Sequence, residues 1–77
     1  MATTAQVIGR VWVKITNGTQ NALVQIIGMS DVCESATQPA EDAPAHNFNN
    51  AVFNVSPPSV LWVRASVPNA SVRVIVS

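Results

Sequence analysis

Apolar side chains recur at every second position over several short stretches of this chain, the pattern of β-strands with one covered face. In residues 10–16, Val11, Val13 and Ile15 fall on one face and Trp12, Lys14 and Thr16 on the other. In residues 70–76, Val72, Val74 and Val76 alternate with Ser71, Arg73 and Ile75, and in 51–55 Ala51, Phe53 and Val55 share a face. Residues 22–27 are an apolar run broken only by Gln25, which suits a strand covered on both sides. Gly28 marks a bend or bulge, and 29–35 read as a further strand with Met29 and Cys33 opposite Val32.

The breakers divide these runs. Asn17-Gly18 is a turn signal because both residues accept positive φ. Pro39 and Pro44 exclude a central strand from 36–50, where Thr37, Pro39, Glu41 and Asp42 suit one helical turn near 38–43. Ser56-Pro57-Pro58-Ser59 is a rigid connector. Residues 1–9 lack a period and read as an extended N-terminal arm, leaving 10–77 as a single β domain. The expected fold is all-β: a small antiparallel β-sandwich or partly open barrel of five to six short strands.

Two stretches look like one hairpin written twice. Val11-Trp12-Val13-Lys14-Ile15-Thr16, a turn, then Asn21-Ala22 and 23–27 match Leu61-Trp62-Val63-Arg64-Ala65-Ser66, a turn, then Asn69-Ala70 and 71–75. The alignment places Trp12 on Trp62, Lys14 on Arg64 and Thr16 on Ser66, with two residues deleted in the turn. Hairpin loops absorb such a length change and strands do not. Each copy is therefore expected to fold back on itself.

Size and charge change the picture from fold to association. At 77 residues the chain is one small domain, and a core below roughly 70–80 residues rarely supplies more than about 3–5 kcal/mol. Its one cysteine, Cys33, permits no internal disulfide, and no metal-ligand cluster is readable, so neither staple nor cofactor is expected. Charged residues make up 10% of the chain, against about 25% in ordinary soluble domains, and the net charge is zero. So little charge protects weakly against association, and a homo-oligomer is expected. Four scattered bases make no stripe for nucleic acid, and no apolar run has the length of a membrane span. The N-terminus lacks the basic and apolar regions of a signal peptide, so use without secretion is expected.

No catalytic constellation is readable. Cys33 and His46 are the only candidates for a thiol dyad, neither in a local signature, and a buried structural cysteine is the better expectation. Asp31, Glu34, Glu41 and Asp42 lack calcium-loop spacing and read as solvated loop acids, while Arg10, Lys14, Arg64 and Arg73 lie in the flanking segments. Whether these bases meet the acids within one copy or across two is open. The chain is not expected to be an enzyme. The candidate assembly residues are Trp12, Lys14, Trp62, Arg64, Phe48 and Arg73. The indoles have three possible uses: covering the open side of the sheet beneath Lys and Arg stems, anchoring a subunit interface, or stacking on sugar rings.

Gly9-Arg10-Val11-Trp12-Val13, Val24-Gln25-Ile26-Ile27-Gly28, the Pro-Ala loop at 39–45, Leu61-Trp62-Val63-Arg64-Ala65 and Val72-Arg73-Val74-Ile75-Val76 together resemble short all-β bacteriophage virion proteins. The resemblance implies a capsid decoration, head-fibre or tail accessory subunit, commonly trimeric, docked on a larger capsid or tail protein. It also implies assembly in the host bacterial cytoplasm and residence in the virion. It brings no catalytic or ligand residues. The alternative is a carbohydrate-binding adsorption module using Trp12 or Trp62.

Overall fold

The computed structural model describes residues 3–77, and those residues contain six antiparallel strands and no helix. The strands are β1 (Thr4–Ile8), β2 (Val13–Lys14), β3 (Ala22–Glu34), β4 (His46–Val55), β5 (Leu61–Ala65) and β6 (Val72–Val76). They form one sheet curled into a half-barrel, consistent with the small all-β fold expected.

The long strand β3 organises the sheet. Along one edge it pairs with β4 for almost its whole length. Along the other it pairs first with β6, from Val24↔Val76 to Ile27↔Arg73, and then with β5, from Ser30↔Ala65 to Glu34↔Leu61. Outside these lie β1 on β6 and β2 on β5. The sheet bends where β3 passes from one partner to the next. There Gly28 takes φ +112°, the β3–β4 register shifts between Ile26 and Met29, and Asn50 opposite takes φ 56°. A bulge of this kind bends and twists a strand. Asn50 fastens it, its Oδ1 accepting the Gly28 N–H at 2.8 Å.

The bend turns the inward side chains of both halves into one core: Ile8, Val24, Ile26, Val32, Val55, Leu61, Val63, Ala65, Val72 and Val74. These are the alternating apolar positions of the strands, as period two demands.

Several expectations are corrected. Residues 4–8 are extended but belong to the sheet, paired with β6 of their own chain and sending Ile8 into the core; residues 1–2 of the expected arm lie outside the described residues. Residues 22–27 and 29–35 do not form two strands, because the Gly28 bulge carries β3 straight through. Leu23 and Ile27 are exposed, so that run is covered on one face only. Near 38–43 the chain makes a single turn, Ala43 N–H to Ala40 C=O at 3.1 Å, in place of a helical turn. The irregular stretch expected over 36–50 ends at 45, because residues 46–50 lie beyond both prolines and form the first half of β4, with 46–49 paired to 29–32. The Asn17-Gly18 turn is present, with Gly18 at φ +81° and Asn17 Oδ1 accepting from Thr19 N–H and Oγ1–H.

Neither expected hairpin forms. β2 pairs with β5 and β3 with β6, so like pairs with like across the two copies of the repeat. In each pair one residue meets its own counterpart: Val13 faces Val63, and Ile26 faces Val74. On either side of these centres the partners exchange. Antiparallel pairing centred on equivalent residues is what a two-fold axis imposes, and it passes from the β3–β6 pair through the core to the β2–β5 pair. The outer strands obey it as well. β1 lies on β6 as the second half of β4 lies on β3, with Val7 opposite Arg73 and Val52 opposite Gln25.

Candidate functional site

The outer face of the sheet has two halves of different character. The first is built on the ends of β3 and β5. Asp31 on β3 faces Arg64 on β5 in the pairing register, and its Oδ2 accepts from Arg64 Nε at 3.1 Å and from an Arg10 guanidinium N–H at 3.3 Å. Its Oδ1 accepts from Asn47 Nδ2 of β4 at 3.2 Å. Arg10 also donates to the carbonyls of Ala65 and Ser66, at 2.8 and 2.9 Å. The Arg64 guanidinium lies 4.3 Å from the centre of the Trp12 ring, which covers it from solvent. Burying an arginine is costly unless it is paired and hydrogen-bonded, and this cluster meets both conditions.

The loop 35–45 closes over this half. Trp12 Nε1–H donates to the Ala40 carbonyl at 3.1 Å, Trp62 Nε1–H donates to the Ser35 carbonyl at 2.9 Å, and Pro39 is buried. Both indoles thus spend their single donor on the loop, which explains how an irregular Pro-Ala segment stays seated on a sheet.

The second half of the outer face, built on β1, β6, the start of β3 and the end of β4, has no such cover. It presents Val7, Ile27, Leu23 and Val52, all exposed, with Val7 at 72% and Val52 at 61%, beside half-buried Ile75. Gln25 and Arg73 lie among them, and Arg73 has no carboxylate partner among the described residues. The patch repeats the internal symmetry: Val7 is related to Val52, Ile27 to Ile75 and Arg73 to Gln25.

The six candidate residues therefore separate. Trp12 and Arg64 are buried together within one copy, and Trp62 is half-buried under the loop rather than on an open side of the sheet. Phe48 is half-buried, its ring 5.6 Å from that of Phe53. Only Lys14 and Arg73 are exposed and unpaired among the described residues. Sequence reasoning missed Asp31, read as a solvated acid, and missed Val7, Leu23, Ile27 and Val52. Simple period-two alternation on both sides of Gly28 signalled that Leu23 and Ile27 face outward. The bases and acids meet partly within one copy, through Arg10 and Arg64, while Glu34, Glu41 and Asp42 stay exposed without a cation.

Cys33 and His46 do line one shallow cleft of about 310 Å³, but no hydrogen bond joins them; Cys33 Sγ–H donates to the Glu34 carbonyl at 3.8 Å. Cys33 is half-buried rather than buried. Among the described residues no three His, Cys, Asp or Glu side chains are gathered to hold a metal, and no helix is long and apolar enough to cross a membrane. The chain matches no protein-family model, no curated protein and no solved structure.

Proposed function

We propose that this chain is a non-enzymatic structural subunit of a bacteriophage particle, of the capsid-decoration, head-fibre or tail-accessory kind, working by self-association and by docking on a larger shell or tail protein. The observation that carries the reading is the uncovered half of the outer face. Four exposed aliphatic side chains in one patch, with a single cation and no acid, are unusual on a small monomer and are the ordinary material of an interface. The low charge of the whole chain points the same way. The particle setting comes from the sequence resemblance, which also favours a trimer.

The tryptophans hold the loop in place, and the aliphatic patch supplies the contact. A carbohydrate-binding role would have to rest on Trp62, because Trp12 offers a sugar no free ring face. Mass spectrometry of purified particles tests the setting: the chain is expected as a stoichiometric component of the mature virion. Its absence from mature particles, or its presence only in assembly intermediates, would contradict the proposal.

A further inference from the structure

The internal two-fold is incomplete at one place. β5 is covered along its outer edge by the second half of β3, residues 30–34. Its counterpart β2 ends the sheet, and no strand of the described residues lies along its other edge. The uncovered positions show the difference. Val11 is 71% exposed where its counterpart Leu61 is 8% exposed, and Val13 and Ile15 are half-buried where Val63 and Ala65 are sealed. Ile15 N–H donates to the Leu61 carbonyl at 2.7 Å, so in the alternation of an antiparallel ladder the N–H and C=O of Lys14 point away from β5, into the open slot. A cleft of about 270 Å³ opens there, lined by Lys14, Ile15, Thr16, Ala22, Val76 and Ser77.

The occupied half states what chemistry the open slot wants. Beside β5 lies an extended segment with Ser30 and Val32 facing the core and Asp31 facing outward onto Arg64. The counterpart of Arg64 is Lys14, which is exposed and has no carboxylate. We infer that β2 is the docking edge for an extended strand of a partner protein, one that places a β-branched residue against Val13 and a carboxylate beside Lys14. Pairing at an exposed sheet edge draws affinity from main-chain hydrogen bonds and specificity from alternate side chains. A second copy of this chain does not fit the slot: among its described residues only the strand segment 30–34 sets a carboxylate, Asp31, next to a β-branched residue, Val32, and that segment is already paired in its own sheet. The inference rests on the internal repeat and stands whether or not the chain belongs to a particle.

The probe is a synthetic peptide with the sequence of residues 29–35, Cys33 replaced by serine, titrated into the whole protein and followed by amide chemical shifts. Saturable shifts confined to residues 11–16 and the Val76–Ser77 end are expected. Lys14→Glu, at an exposed position where folding is not at stake, weakens binding about tenfold, and a peptide carrying Lys in place of the aspartate restores it. Because so short a peptide binds weakly, a second form of the protein carries the sequence of residues 30–34 appended after Ser77, where effective concentration fills the slot, and its Tm rises above that of the parent. Shifts mapping to β1 or β4, equal affinity for the Lys14→Glu protein, peptide competition with a dimer formed through β2, or no binding together with no rise in Tm would each overturn the inference.

Discussion

Asp31 holds three partners at once, and its position is worth more than its charge suggests. The carboxylate neutralises Arg64, whose side chain is only 6% exposed, while tethering Arg10 and Asn47. Removing it leaves a buried guanidinium without its counter-ion, so Asp31→Asn is expected to cost about 2–3 kcal/mol in urea unfolding. Asn47→Ala, which removes one exposed partner of the same carboxylate, should cost well under half as much. Trp12→Phe removes the bond to Ala40 and weakens the stacking on Arg64, a loss of about 1–2 kcal/mol; faster proteolysis within 35–45 would report the freed loop. Asp31 was illegible in the sequence because an acid between Ser30 and Val32, with Glu34 close behind, looks solvated until the register places Arg64 opposite it. The tryptophans were legible as sheet-covering residues. Which of them would be sealed depended on the path of loop 35–45, and Pro39 and Pro44 say only that this segment is irregular.

At the scale of the element, the bend at Gly28 decides the fold. A Cβ there would sit 3.1 Å from Val72 Cγ1, at a φ that other residues rarely adopt, so Gly28→Ala is expected to cost about 1–3 kcal/mol. Gly9, with nothing within 4 Å of a built Cβ and ordinary φ, makes the contrast: Gly9→Ala should stay within about 0.5 kcal/mol of the parent. Thermal unfolding of the two variants side by side checks both. Many strand positions were readable because alternation shows which residues face the core, and Val24, Ile26, Val72 and Val74 do so, whereas residues 4–8 and 46–50 are strand without a clear apolar alternation to show it. Strand partners were not. Alternation is the same whichever strand lies alongside, and a short turn such as Asn17-Gly18 invites the assumption that its flanks pair with each other. Here β2 keeps two ladder residues on β5, and after the turn the chain runs on as β3 beside β6 instead of returning along β2. The repeat was visible as matched residues; its meaning, equivalent strands meeting at Val13–Val63 and Ile26–Val74, needed the register.

For the whole molecule, the outer face is closed in one half and bare in the other, while the internal two-fold maps each half onto itself. The loop between β3 and β4 covers the Trp12–Arg64 half, and none of the described residues forms such a cover over Val7, Ile27 and Val52. A face with its own approximate two-fold presents the same shape after half a turn, which suits it to contact another symmetric surface. We propose that this patch holds copies together, and sedimentation velocity of the purified protein at tens of micromolar is the test. An oligomer is expected for the parent chain and a folded monomer, with unchanged circular dichroism, for the double variant Val7→Lys, Val52→Lys. A parent chain that sediments as a monomer, or an oligomer indifferent to both lysines, would contradict it.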